Sequence, residues 1–196
     1  MSSKLDPIVL VVDVESTCWE PPEVQPNDEI SEIIEIGIAE VNIKNREVLR
    51  NDSIIIKPQK SKVSKFCTKL TTLTQNIVDD GCTFQAAMAI LRKNYNSENR
   101  TMVSWGDYDR NMFERNSKEY GVKYPFGRRH INLKNTFTVL HGLDKEPGMD
   151  RALEYIGLDL QGVHHRGVDD ASNIARILCH TLSRFRSGSS NPDDVE

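Results

Sequence analysis

The sequence is short of several features that would place it early. No uncharged run reaches a dozen residues, whereas a membrane-spanning helix needs roughly 18 or more apolar ones, so no transmembrane segment or membrane partner is expected. The first residues hold no basic segment leading into an apolar core, which argues against a secretory leader and for a cytoplasmic protein. Cysteine is scarce and scattered: Cys18, Cys67, Cys82 and Cys179 form no C-x-x-C pair. Neither zinc spacing nor a disulfide framework is indicated, and all four are expected as reduced thiols. Only 11 glycines and 8 prolines occur, which excludes collagen-like and low-complexity chains. The phosphate-cradling patterns G-x-x-x-x-G-K-[ST] and G-x-G-x-x-G are missing, so no nucleotide cofactor is indicated. Positive charge is not in excess either, with 25 basic against 29 acidic residues and a net charge of -4. Any nucleic-acid binding must come from a local patch.

What the 196 residues do contain is a core, since 38% are hydrophobic. One domain over 1–185 is expected, with RSGSSNPDDVE at 186–196 too polar to pack. Ile8 to Val14 (IVLVVDV) is a β-branched run of the kind covered on both faces of a sheet. The Pro-rich, acidic stretch from Glu20 to Glu29 cannot continue that sheet and reads as a surface loop. Ser31 to Ile43 and Glu47 to Lys57 supply two more strands, giving an antiparallel meander. The period turns helical from Thr74, and Thr83 caps a helix carrying Phe84, Ala87, Met88 and Leu91. Strands at Thr101–Trp105 and His130–Leu133 then alternate with helices at Asn111–Tyr120, Thr136–Leu140 and Asp150–Ile156. The amphipathic stretch Val168–Phe185 closes the pattern. Three antiparallel strands followed by strands alternating with helices indicate an α/β domain with a mixed sheet.

Asp13 and Glu15 stand two apart on a strand and so share one of its faces. Like charges in a partly dry place call for a cation, and an all-oxygen pair suits Mg²⁺ or Mn²⁺ better than zinc. The plainer alternative is that Glu15 opens the solvated loop. Asp109 lies at the start of a helix, where an acid is also ordinary capping chemistry. In the segment HHRGVDDA, His165 precedes Asp170 by five residues, and Asp170 borders the core-facing stripe of the last helix. Asp169 is read as the cap and Asp170 as the metal ligand, although His164 and Asp169 have the same spacing. His130, His141, His164 and His180 are expected to be structural or exposed. Residues 57 to 69 hold Lys57, Lys60, Lys62, Lys65 and Lys69 and no acid. They form either a phosphate-contact segment or a solvated loop. Trp19 could stack a base or pack on Pro21 or Pro22.

Three motifs, in this order, resemble those of the DEDDh exonucleases, the DnaQ-like branch of the ribonuclease H-like superfamily. They are Val12-Asp-Val-Glu-Ser-Thr17, Trp105-Gly-Asp-Tyr-Asp-Arg-Asn-Met-Phe113 and His165-Arg-Gly-Val-Asp-Asp-Ala171. Asp-Val-Glu-Ser-Thr-Cys-Trp19, Phe66-Cys-Thr-Lys-Leu-Thr-Thr-Leu-Thr-Gln75 and Val168-Asp-Asp-Ala-Ser-Asn-Ile-Ala175 are most similar to the Eri-like branch. The chain departs from the pattern at Thr72, where many relatives carry glycine, and Asp107 competes with Asp109. Asp109 is chosen because Phe113 then follows four residues on.

The resemblance implies a ribonuclease H-like mixed sheet of five strands, three antiparallel and then parallel, flanked by helices. It implies a 3′-to-5′ exonuclease that hydrolyses single-stranded RNA ends or short oligonucleotides with a free 3′-OH to nucleoside monophosphates. A DNA exonuclease and a catalytically silent RNA-binding protein are the alternatives. Two Mg²⁺ or Mn²⁺ ions, about 3.5–4 Å apart, would serve each active site. Asp13, Glu15 and Asp170 would hold the ion on the nucleophile side, Asp13 would bridge, and Asp109 would hold the second. His165 would take the proton from the attacking water. Thr17 and Cys18 would approach the terminal nucleotide through backbone groups, Leu73 would wedge against its base and Tyr108 would stack on it. Lys60, Lys62 and Lys65 would contact the upstream backbone.

Overall fold

The computed structural model describes residues 6–20, 25–26 and 29–187. Pro21, Pro22 and residues 188–196 of the expected tail lie outside the described residues. Five strands, β1 (Ile8–Ser16), β2 (Ile33–Asn42), β3 (Glu47–Ile55), β4 (Thr101–Ser104) and β5 (His130–Asn132), form one sheet in the order β3-β2-β1-β4-β5. The β1–β2 and β2–β3 pairs are antiparallel, and the β1–β4 and β4–β5 pairs are parallel. This is the mixed sheet expected from the sequence. Among the described residues no helix is long and apolar enough to cross a membrane.

Parity along β1 explains its unbroken apolar run. Leu10, Val12 and Val14 pack with α3 (Phe84–Tyr95) and with Met112 and Phe113 of α4 (Tyr108–Glu119). Val9 and Val11 turn the other way, onto α5 (Leu133–His141), α6 (Met149–Tyr155) and α7 (Gly167–Ser187). Successive side chains of a strand point to opposite faces, so a central strand between two helical layers has no polar side to show. Asp13 and Glu15 continue the odd-numbered face, toward α7.

The expected lysine loop is only partly a loop. From Lys65 it becomes α1 (Lys65–Thr71), N-capped by Ser64, and α2 (Gln75–Asp79) follows, capped by Thr74. Each is too short for periodicity to reveal. The first ends at Thr72, which adopts the left-handed conformation (φ 64°) that glycine would take more readily.

The start of α7 lies directly on the sheet. Gly37 of β2 is the cross-strand partner of Asp13, and a Cβ built on it would fall 1.8 Å from the Gly167 carbonyl oxygen. Only a missing side chain permits that approach. Gly37→Ala is therefore expected to cost more than about 3 kcal/mol, because backbone and not a flexible side chain must yield. Urea unfolding checks this, and a midpoint equal to wild type would contradict the close packing.

Candidate active site

Three elements deliver acids to one place. β1 brings Asp13 and Glu15, and the first turn of α7 brings Asp170. One carboxylate oxygen from each of these three lies within 4.8 Å of the others. Glu15 and Asp170 are only 8% and 4% exposed. Asp109 arrives from the opposite layer, in the first turn of α4, for a local reason. The β1–β4 ladder covers only Val9 to Val11, so the Val14 N–H lies beyond the paired stretch, and Asp109 Oδ1 accepts it at 2.9 Å. All four acids line a cavity of about 380 Å³ together with Cys18, Leu70, Trp105, Tyr108, His164 and His165.

The electrostatics of the cluster are unbalanced. Burial pushes the Asp13 carboxyl well above the usual range, and the charges of Asp109, Glu15 and Asp170 push it further. Burial, then Asp170 and Glu35, raise Glu15 to about 8. Asp109 is raised to about 7 by burial against the lowering effect of the Val14 N–H. Asp170 is raised by burial, with His164 opposing. Arg166 is committed elsewhere: its Nε and Nη2 donate to the two oxygens of Glu35 at 3.1 and 3.2 Å. Buried oxygen donors short of positive charge fit a hard divalent cation. Asp13, Glu15 and Asp170 could hold one ion, and Asp109 is placed to serve a second.

The fit has a measurable consequence. Carboxyls raised above their unfolded values of about 4 contribute stability that is complete below that pH and is lost as pH climbs through about 8, the value for Glu15. A cation that neutralises them restores it. Mg²⁺ or Mn²⁺ should therefore raise the melting temperature by several degrees at pH 8 and by little at pH 5. Equal shifts at both pH values would contradict the cluster's assignment as the metal seat.

The histidine loop is held from several sides. His165 has a left-handed backbone (φ 63°), and its N–H donates to Asp170 Oδ2 at 2.9 Å. Burial, and then His164, lower its pKa, which keeps the imidazole neutral and able to accept a proton near pH 7. The two imidazoles stack with centroids 4.0 Å apart, and His164 Nδ1 lies 3.2 Å from both Asp170 oxygens. His164 thus lines the cavity, where the sequence suggested only a structural or exposed residue. Asp169 is not the helix cap: it accepts the Val163 N–H at 2.9 Å and ties down the preceding loop.

Sequence reasoning missed Glu35. It is fully buried, accepts from Ser53 Oγ at 2.6 Å and from the Gly167 N–H at 3.0 Å, and with Arg166 fixes the loop that carries His165. An acid inside the otherwise apolar run Ile33–Ile38 was the available clue.

Several expected substrate contacts fall elsewhere. Leu73 is fully buried beside Ile34, Cys67 and Val78, and Leu70 lines the cavity in its place. The Thr17 N–H is committed to the Glu32 carbonyl, and its own carbonyl already accepts from Ser31 Oγ. Its hydroxyl lies 2.9 Å from Ser61 Oγ. Cys18 lines the cavity, but its carbonyl already accepts from Ser64 Oγ. Tyr108 lines it too, with its hydroxyl 2.7 Å from Ser16 Oγ, and the residue is more than half exposed. The Lys60 ammonium pairs with Glu119 and lies over the Tyr120 ring. Lys62 and Lys65 are exposed, and none of the three lysines lines the cavity.

Comparison with known proteins points to exonucleases. A family model described as Exonuclease (RNase_T) matches residues 10–178. The chain is 28% identical to the 3′-5′ exonuclease Snipper of Drosophila melanogaster over 195 residues, covering 87% of this chain and 68% of that protein. It is 28% identical to 3′-5′ exoribonuclease 1 of Rattus norvegicus over 184 residues, covering 89% of this chain and about half, 52%, of that protein. Among solved structures, the nuclease domain of 3′hExo, a DEDDh family member bound to rAMP, is similar at 25% identity with a TM-score of 0.79, covering 93% of each chain.

Proposed function

This chain belongs to the exonuclease family, and on that premise we propose that it is a metal-dependent 3′-to-5′ exonuclease acting on single-stranded RNA or short oligonucleotides. It removes nucleoside monophosphates from a free 3′-OH, with residues 1–185 as the nuclease domain. The observation that carries this reading is the meeting of Asp13, Glu15, Asp109 and Asp170, from three separate elements, in one cavity with His165. A structural role does not require four clustered acids, three of them buried, without counter-charge.

Mg²⁺ or Mn²⁺, two ions per site, would neutralise the phosphate, acidify the attacking water and stabilise the leaving oxygen. Asp13, Glu15 and Asp170 would hold one ion, and Asp109, with Asp13, would hold the second. His165 takes the proton of the attacking water, a role that suits a neutral imidazole whose backbone is fixed to Asp170. Tyr108 and Leu70 flank the terminal nucleotide, beside Cys18. Lys62, on the segment leading into α1, and Lys65, the first residue of that helix, are exposed and contact upstream phosphates.

RNA is favoured over DNA because the chain is similar to a 3′-5′ exoribonuclease and to a nuclease domain bound to rAMP. Matched 5′-labelled RNA and DNA oligomers with Mn²⁺ test this. RNA should shorten from its 3′ end in single-nucleotide steps and at least about tenfold faster than DNA, a margin of roughly 1.4 kcal/mol in the barrier. Faster DNA cleavage would overturn the RNA preference, and no cleavage of either would overturn the enzyme reading.

A further inference from the structure

A second cavity of about 370 Å³, nearly the size of the one that gathers the acids, lies where three helices of one layer end. Leu140 and His141 close α5, Tyr155 closes α6, and Thr181 and Arg184 belong to the final turns of α7. The two cavities sit at opposite ends of α6, whose N-cap Gly148 and first residue Met149 line the first and whose last residue lines the second. Asp170 and Arg184 are fourteen residues apart on α7, about 21 Å at the rise of a helix, so the second cavity is separate from the first.

Its wall is aromatic and fixed. His141 lies against the fully buried Phe137 with ring centroids 4.3 Å apart. The Tyr155 ring stands nearly perpendicular to both, 5.9 Å from Phe137 and 5.1 Å from His141. Tyr155 is nonetheless 54% exposed. A ring pinned by its neighbours yet left in water is a stacking surface that needs little further ordering to bind.

The charge is of one sign. Arg184 is exposed and has no carboxylate partner among the described residues, and no acid lines the cavity. Burial, and then Arg184, lower the pKa of both His141 and His180, which places three basic groups in one neighbourhood. A cation near a helix C-terminus is ordinary dipole chemistry, but that explains neither the pinned, exposed ring nor the hollow beside it. Thr181, which is buried, donates its hydroxyl proton to the Ile177 carbonyl at 2.8 Å, so toward the cavity it can only accept.

The two cavities share one recognition set. The first places a tyrosine and a leucine, Tyr108 and Leu70, beside acids that suit a cation, and the second places Tyr155 and Leu140 beside a cation and no acid. A flat ligand with an anionic group fits both, and only the first has ligands for a metal.

We propose that the cavity at the ends of α5, α6 and α7 is a second nucleotide-binding site, which holds a nucleobase on Tyr155 and its phosphate at Arg184 and performs no chemistry on them. The choice of a nucleotide as ligand rests on the nuclease reading. Thr181, an acceptor only, favours a base with an exocyclic amine, adenine or cytosine. The same base and phosphate are presented by an interior nucleotide of the RNA whose 3′ end occupies the first cavity and by a free nucleoside monophosphate.

Binding is measured without turnover. Adenosine monophosphate is titrated by calorimetry into the metal-free protein in EDTA, where the acids of the first cavity repel its phosphate. Adenosine, which lacks that phosphate, should bind at least about tenfold more weakly, and Arg184→Glu should weaken the monophosphate by at least about tenfold at an unchanged melting temperature. Tyr155→Leu, which keeps an apolar side chain against Phe137, should weaken it by about tenfold through lost stacking. The source is read with RNA oligomers carrying 5-iodocytidine at one interior position, irradiated with the slow His165→Ala protein in Mn²⁺ and mapped by mass. A crosslink at Tyr155 assigns the site to the strand, and monophosphate binding without one assigns it to the free nucleotide. Equal affinity for adenosine and its monophosphate, or monophosphate binding that Arg184→Glu leaves unchanged, would overturn the proposal, as would the absence of both binding and crosslink. A protein that binds the monophosphate here and cuts no RNA would count against the nuclease reading alone, and one that cuts RNA with neither binding nor crosslink would count against the second site alone.

Discussion

Asp13→Ala is expected to lower oligonucleotide hydrolysis by at least about a thousandfold while raising the stability of the metal-free protein. In the proposed site Asp13 would help to hold both ions, and each ion would supply several kcal/mol of charge stabilisation, with about 1.4 kcal/mol per tenfold in rate. The gain in stability has a separate cause. Burial and the neighbouring Asp109, Glu15 and Asp170 all disfavour the charged Asp13 carboxylate, so its removal relieves repulsion that grows as pH rises toward 8. The two effects have opposite signs, which separates them from simple unfolding. Thermal unfolding at pH 8 without metal and turnover with Mn²⁺ measure both. A folded Asp13→Ala protein within tenfold of wild-type activity would remove Asp13 from the site.

His165→Ala should lower kcat by about a hundredfold to ten-thousandfold, the range of a general base, with a smaller change in KM. His164 sharpens this expectation. The sequence suggested a structural or exposed residue, but its ring stacks on His165 and its Nδ1 lies 3.2 Å from both Asp170 oxygens. A neighbour that orients a ligand typically accounts for about tenfold to a hundredfold. His164→Ala should therefore fall between wild type and His165→Ala when kcat is compared at saturating metal. If His164→Ala is the more damaged of the two, His164 is the proton acceptor.

The strand carrying Asp13 and Glu15 could be recognised because two physical requirements coincide there. A β-branched run buried on both faces is a strong local pattern, and period-2 parity sets both acids on one side without tertiary information. The mixed sheet followed from the same reasoning, applied to the meander and the later alternation. Asp170 stood out against the apolar stripe of α7, and its own contacts were not needed. The misses share a different origin. Leu70 and Leu73 stand three apart in one threonine-rich stretch, and only the turn at Thr72 decides which enters the core and which faces the cavity. Lys60 appears free in the sequence because Glu119, its partner, lies far along the chain at the end of α4. The bond between Glu35 and Arg166 joins residues that local patterns cannot connect.

Hydrolysis from a free 3′ end at the acid cluster is tested directly by one measurement. A single RNA sequence is prepared linear with a 3′-OH, linear with a 3′-phosphate, and circular, and each is incubated with wild type and Asp13→Ala in Mn²⁺ or EDTA. The expected result is stepwise release of nucleoside monophosphates from the 3′-OH substrate alone, by wild type alone, and only in Mn²⁺. Cutting of the circle at the rate of the linear RNA, or undiminished cleavage in EDTA, would contradict it.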